Sequence, residues 1–407
     1  MEEVVAPDNI ARAMKRVTAN HGSPGIDRMT VDELPDHWRR HEGILREQLL
    51  AGTYKPTAVR RVTIPKPDGG ERELGIPTVT DRLVQQAILQ VLGPRYDAGF
   101  SQHSHGFRPG HSAHDAVLEA QSYIQEGYDW VVDVDLERFF DRVNHDVLMG
   151  RLAKRIADKR MLKILRGFLN AGVMLNGVVV DQEEGTPQGG PLSPLLANVL
   201  LDELDKSLEA RGHRFVRYAD DCNIYVRSQR AGERVMASMR KELTKLRLRI
   251  NEAKSAVDRP WNRRFLGFTF TRGRETRRRV SPRAVEKAKD RIRALTNRNR
   301  GTSITTVVKE LTQYLRGWLQ YFGLCQVPRP RRDLDEWIRA RLRLLQVKQW
   351  KRGTTAYPRL VAMGAYEAAA IHTAQNLRRW WHSAHSPGMS QAMPIRYFDG
   401  LGLPRLA

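Results

Sequence analysis

The sequence predicts an α+β fold, with short strands and hairpins set among amphipathic helices and a helical, strongly basic part closing the chain. Three observations predict it. Short β-branched and aromatic runs flank polar turns at residues 59–64 with 71–76, at 130–136, at 173–180 and at 214–226. Between and beyond these runs, apolar residues recur at helical spacing. The charge is also divided. The 407 residues hold 68 Lys and Arg against 46 Asp and Glu, a net charge of +22. Residues 1–258 carry 37 basic and 37 acidic side chains, whereas residues 259–407 carry 31 and 9. A neutral part joined to a basic one that also holds Trp318, Trp337, Trp350, Trp380 and Trp381 points to a folded grip on a polyanion.

Taken in order, residues 8–21 and 31–51 read as helices joined by a Gly22–Asp27 turn. Residues 59–64 and 71–76 form a hairpin with Lys66 near its tip and Arg72 on its second arm, two cations suited to phosphate. A helix follows at 79–93. The segment 102–114 holds four histidines, but its Gly and Pro content and its lack of Cys or acidic ligands argue for an irregular loop over a zinc site. Ser112 caps the next helix, to about Glu126. Trp130–Leu136 reads as a buried strand with Asp133 and Asp135 on one face, and Asp141 and Asn144 read as caps of the helix from about His145. Asn176-Gly177 marks another hairpin turn. Gly185–Gly190 then opens a helix from 195 to about 210, and helices at 231–248, 283–299, 304–323, 333–348 and 366–382 follow, with a strand at 265–270.

The chemistry concentrates in Arg217-Tyr218-Ala219-Asp220-Asp221-Cys222. A hairpin there holds two adjacent carboxylates at its tip, and such a pair needs a cation to stay ionised. Mg²⁺, hard and oxygen-seeking, is the natural partner. Acidic residues in the apolar run at 130–136 are costly unless paired or metal-bound, and pattern alone leaves Asp133 and Asp135 as alternatives. Gly185–Gly190, with Gln188, is a candidate substrate platform between the two acidic segments. Two cysteines, Cys222 and Cys325, exclude a disulfide framework. Met1-Glu2-Glu3-Val4 lacks the apolar core of a signal peptide, and no run of about 18 apolar residues occurs, so a cytoplasmic protein with no membrane partner is expected.

Acidic strand, glycine platform and Asp-Asp hairpin come in the order of a palm-type polymerase site. Ile64–Gly69, Leu74–Pro77, Gly106–Gly110, Asp135–Asp141, Gly185–Gly190 and Tyr218–Asp221, followed by Tyr314–Phe322, resemble in order and spacing the bacterial group II intron reverse transcriptase/maturases. The resemblance covers nearly the whole chain. It implies a right-hand polymerase fold, with an N-terminal extension at 1–55, fingers and palm at 56–275, a thumb/maturase domain at 276–350 and a basic, aromatic nucleic-acid-binding region at 351–407. It implies Asp135, Asp220 and Asp221 as catalytic metal ligands for two Mg²⁺ ions about 3.5–4 Å apart, with Mn²⁺ as substitute. By the same resemblance Lys66, Arg72, Phe140, Gln188 and Lys254 contact the incoming dNTP, Phe140 as a gate against the ribose 2′-hydroxyl. Arg316, Trp318 and Tyr321 contact RNA. The implied partners are intron RNA, DNA primer or target, and dNTPs, the protein acting as monomer or dimer and joining the nucleoid when on DNA. With no cysteine after Cys325, the zinc-containing His-Asn-His endonuclease of many relatives is not expected. Two alternatives stay open: a domesticated reverse transcriptase in phage defence or DNA repair, and an RNA-binding splicing factor without polymerase activity.

Overall fold

The computed structural model describes residues 1–65, 71–175, 178–180, 184–185, 189–273 and 275–407, and only the backbone of 72, 173, 175 and 178–180. It divides into two compact units, Met1–Arg259 and Pro260–Ala407.

In the first unit the strands are β1 (Val59–Pro65), β2 (Glu71–Ile76), β3 (Trp130–Val134), β4 (Val173–Leu175), β5 (Val178–Val180), β6 (Arg214–Tyr218), β7 (Asp221–Val226) and β8 (Ala256–Asp258). They form two sheets. One has the order β2-β1-β4-β5, the other β6-β7-β3-β8. In the first, β1 and β2 pair antiparallel from Arg60–Ile76 to Pro65–Glu71, and β1 runs parallel to β4. In the second every pairing is antiparallel, with β3 between β7 and β8. β8 is an addition to the elements read from sequence. Three residues without a hydrophobic alternation carry no strand signal of their own, and their pairing with Val131–Asp133 decides.

Helices close around these sheets. Pro7–Ala19 packs on Val79–Asp97, where the Asn9 amide donates to Val4 O and Ala87 O, both at 3.0 Å. Ala113–Gln125 starts with a capping box, Ser112 Oγ accepting from the Asp115 N–H and the Asp115 carboxylate accepting from the Ser112 N–H. Ser193–Ala210 buries Leu196, Leu200, Leu201, Leu204 and Leu208 in the core shared with β3, β6 and β7. Asn144 caps His145–Ala153 as expected, its Oδ1 accepting from Val147 N–H. Asp141 does not cap. A left-handed Arg138 (φ 45°) starts a single 3-10 turn at Phe139–Arg142, which leaves Asp141 ahead of the cap.

The second unit holds a two-stranded sheet, β9 (Phe268–Phe270) with β10 (Arg278–Val280), and helices Pro282–Leu295, Ile304–Phe322, Arg329–Trp350, Gly353–Ala362, Glu367–Gln375 and three shorter ones. The strand expected at 265–270 is only half its length. Leu266 (φ 49°) and Gly267 (φ 81°) turn the chain, so Phe265 and Phe268 bond each other. Phe268 packs on Tyr321 and Phe322, which places β9 with the helices of the second unit. Likewise the helix expected at 366–382 is broken after Gln375 and resumes at Trp380.

Candidate active site

The site is built at one end of the second sheet. Tyr218 pairs with Asp221, so Ala219 and Asp220 form a two-residue hairpin loop and Asp221 is the first residue of β7. Ala219 takes a left-handed φ of 58°, as such tight loops demand. On the neighbouring strand Val134 pairs with Cys222. The next step of that register sets Asp135 against Asp221, and Asp133 falls two pairs inside that one, opposite Asn223. Backbone pairing thus settles which aspartate stands at the sheet end. Asp135 is held there by the turn before β8, since its N–H donates to Ser255 Oγ (2.9 Å) and its carbonyl accepts from Asn251 N–H (2.8 Å). The same turn brings Lys254 Nζ to 3.8 Å from Asp135 Oδ2.

Asp135, Asp220, Phe140 and Lys254 open onto one cleft of about 1100 Å³, which Arg61, Glu71 and Glu73 also line. Asp221 is exposed and lies beside this lining, outside it. Phe139 is buried in the core and Phe140, edge-to-face with it at 5.1 Å between centroids, faces the cleft. Among the described residues seven carboxylates and three cationic side chains line the cleft, and carboxylates gathered in this way call for bound cations. Among the described residues no three His, Cys, Asp or Glu side chains enclose a metal position. Mg²⁺ commonly takes one or two carboxylates and completes its shell with water and substrate phosphate, and Asp135 and Asp220 fit that donor set. Lys66 and Gln188, and the side chain of Arg72, lie outside the described residues. Arg72 is placed by its backbone alone, paired with Ile64.

The hairpin loop rests on a buried ion pair that pattern reading passed over. Arg217 and Asp205 are both fully buried. Arg217 Nε and Nη2 donate to the two Asp205 oxygens (2.7 and 2.5 Å), and Nη1 donates to Asn198 Oδ1 (2.9 Å) and to the carbonyl of Ala219 (2.8 Å). Four of the five guanidinium N–H groups are thereby used. Burial pushes the Asp205 carboxyl up, and the guanidinium opposes it; the bidentate geometry favours the charged pair. Asn198 Nδ2 donates in turn to Gly106 O (2.9 Å). Gly106 lies so close that a Cβ there would stand 2.2 Å from Ala219 N. A usable signal was present. Asp205 interrupts the apolar stripe of its helix and Arg217 an apolar strand, and two charges at core positions imply each other.

The histidine loop braces the same strand. His105 N–H donates to Arg217 O (2.9 Å) and Arg217 N–H to His103 O (2.8 Å). The side chains of His103 and His105 both meet Glu119, His105 Nε2 at 2.6 Å, and the Tyr123 hydroxyl donates to it at 2.6 Å. Burial raises Glu119, but these hydrogen bonds outweigh it and hold the carboxyl down to about 2. The bond to Glu119 raises His103. A depressed carboxylate stabilises above its ordinary value of 4.5 and loses that contribution as pH falls toward about 2. A raised histidine stabilises below 6.5 and loses it as pH rises through its folded-state value. We expect the melting-temperature gap between the protein and its Glu119→Gln variant to be widest between pH 4.5 and 6.5 and to narrow on either side. A gap flat from pH 3 to 9 would remove this clasp from the account.

In the second unit the expected RNA contacts separate. Trp318 is 7% exposed and packs tilted against Phe322, 4.9 Å between centroids. Tyr321 donates its hydroxyl to Leu266 O (2.9 Å). Trp318 sits on the packed face of Ile304–Phe322, Tyr321 is half-buried beside it, and Arg316 is exposed. Sequence periodicity treats a Trp or Tyr as core or contact alike.

A carboxylate-lined cleft at the end of a four-stranded antiparallel sheet, with an Asp-bearing hairpin loop, is the palm of a template-directed polymerase. Residues 64–270, half of the chain, match the reverse transcriptase (RNA-dependent DNA polymerase) family, and residues 285–364 match the group II intron maturase-specific domain. The chain belongs to the reverse transcriptases, within them to the group II intron reverse transcriptase/maturases. Protein YkfC of Escherichia coli (strain K12) is 36% identical over 214 residues, 51% of this chain and 56% of that protein. The group II intron-encoded protein LtrA of Lactococcus lactis subsp. cremoris is 42% identical over 161 residues, 39% of this chain and 27% of that one. The match thus spans about half of the first relative's length and about a quarter of the second's. A solved partial Cas6-RT-Cas1–Cas2 complex aligns at a TM-score of 0.38 and 27% identity, over 59% of this chain and 42% of that one. Use of divalent metal goes with the family. Among the described residues no helix is long and apolar enough to cross a membrane.

Proposed function

We propose that the protein is an RNA-directed DNA polymerase that copies RNA into cDNA and binds its intron RNA to promote splicing and mobility. The observation that carries the reading is the convergence of Asp135, Asp220, Phe140 and Lys254 on one acidic cleft. In the reaction the primer 3′-oxygen bonds the α-phosphorus of a dNTP, the bond to the β-phosphate oxygen breaks, pyrophosphate leaves and the hydroxyl proton passes to solvent. Two Mg²⁺ ions, or Mn²⁺ in their place, held by Asp135, Asp220 and Asp221, would acidify that hydroxyl and neutralise the leaving group. Lys254 sets a cation at Asp135 where phosphate charge arrives. Lys66 and Arg72 hold the triphosphate, and Gln188 joins the platform under template and nucleotide. Arg316, Trp318 and Tyr321 contribute to RNA binding.

The division into an extension (1–55), fingers and palm (56–275), thumb/maturase (276–350) and a nucleic-acid-binding region (351–407) belongs to the same reading, as does a cytoplasmic protein that joins the nucleoid on DNA. The test is extension of a DNA primer on an RNA template by the purified chain with Mg²⁺ and dNTPs. cDNA that disappears with chelator and returns with Mg²⁺ is expected, and no extension under any divalent metal would overturn the reading. Phe140→Ala should raise ribonucleotide incorporation relative to deoxynucleotide on the order of tenfold to a hundredfold, the range a shape contact supplies. Unchanged discrimination would take Phe140 out of sugar selection.

A further inference from the structure

At the end of the palm sheet opposite the aspartates, β6 begins at Arg214, β7 ends at Val226 and β3 begins at Trp130. Strands of this length separate the two ends by roughly 13–17 Å. A second cleft of about 460 Å³ opens there, lined by Arg211, Arg214, Arg227 and Arg234 together with Tyr128 and Ser238. Arg211 is committed to Glu242 Oε1 at 2.6 Å and to Ser238. Among the described residues, Arg214, Arg227 and Arg234 have no carboxylate at ion-pair distance. All three are exposed.

Two of them converge on one point. Arg227 lies over the Tyr128 ring at 4.7 Å from its centroid, and the neighbouring Arg227 and Arg214 guanidinium groups draw the phenol below its ordinary value. Background charge does not account for this, because residues 1–258 hold equal numbers of basic and acidic side chains. Guanidinium groups gathered in a concavity repel one another until an anion with several oxygens bridges them, and phosphate suits the planar fork.

We propose that this cleft is a second RNA-binding site, in which Arg214, Arg227 and Arg234 hold backbone phosphates of a folded RNA. The inference rests on the reading that the protein binds RNA, and not on its polymerase activity. RNA is the occupant that fits. A primer terminus at the aspartates is engaged at the other end of the sheet, and a large folded intron RNA can span both ends where a short template-primer cannot.

The test measures binding of the RNA transcribed from around the protein's own reading frame, by filter retention between 50 and 200 mM KCl. The full-length chain is compared with Arg214→Gln, Arg227→Gln and the triple variant that adds Arg234→Gln. Each lost phosphate contact should flatten the log–log salt slope by roughly 0.7–0.9. The triple variant should therefore lose about two to three units of slope and bind at least about tenfold more weakly at 100 mM salt. Primer extension on a short template should stay within about twofold. The exposed single variants keep the test open should the triple variant not fold. An unchanged slope would overturn the site. Equal weakening on duplex DNA of the same length, or loss of polyglutamate binding in the variants, would assign the cleft to DNA or to an acidic protein and overturn the RNA assignment. Failure of the polymerase reading would show separately, as no extension by the unaltered chain.

Discussion

Asp220→Asn abolishes primer extension, by at least about a thousandfold, and leaves RNA binding within about twofold. The carboxylate sits in the hairpin loop and lines the cleft with Asp135. An amide of the same size keeps the loop's shape but removes a negative charge from a metal ligand. Metal-ion stabilisation of transition-state charge amounts to several kcal/mol, and each tenfold in rate is about 1.4 kcal/mol. RNA binding survives because the charge excess lies elsewhere: residues 259–407 carry 31 basic against 9 acidic side chains. Primer extension under single-turnover conditions and filter binding of the same preparation check both halves. Parallel loss of extension and binding in a folded variant would show that catalysis and RNA grip are one function.

Arg217→Met has the largest expected effect on stability. It strands Asp205, fully buried, without its partner. Removing one member of a buried pair costs about 3–5 kcal/mol. For a domain of this size 1 kcal/mol moves the melting temperature by about 2–4 °C, so a fall on the order of 10 °C is expected. The double variant Arg217→Met/Asp205→Leu removes both charges and should recover most of that stability, as apolar replacements of buried pairs do. Activity should not return with it. Arg217 also donates to Ala219 O at 2.8 Å, and the double variant leaves that carbonyl, one residue before Asp220, without its donor. The readout that separates positioning from folding is kcat for primer extension in the stabilised double variant, together with its Mg²⁺ requirement. Full recovery of kcat would reduce Arg217 to a stabilising role.

The strands and most helices were legible because their patterns are local. Residues 59–64 and 71–76 pair as read, and the Asn144 cap follows from one residue type at one place. Legibility ended where tertiary contact decides. The sequence left Asp133 and Asp135 undivided, and the register with Cys222 and Asn223 divides them. Lys254 was placed beside phosphate by resemblance, and its turn brings it to Asp135 through Ser255 and Asn251, which no spacing rule announces. For Trp318 and Tyr321 aromatic character fits a nucleic-acid contact as well as a core; packing against Phe322 buries Trp318, whereas Tyr321 stays partly exposed. The arginine cleft was invisible for a further reason: its cations come from Arg214, Arg227 and Arg234, on two strand ends and a helix, inside a stretch whose charges cancel.

One measurement tests most directly whether this polymerase serves an intron of its own. The protein is purified from its native host and the RNA bound to it is sequenced. Enrichment of the transcript that surrounds its own reading frame is expected, over total RNA and over a sample from an Arg214→Gln/Arg227→Gln/Arg234→Gln strain. Enrichment of unrelated RNAs, or of none, would contradict the maturase role and leave a reverse transcriptase that works in another setting.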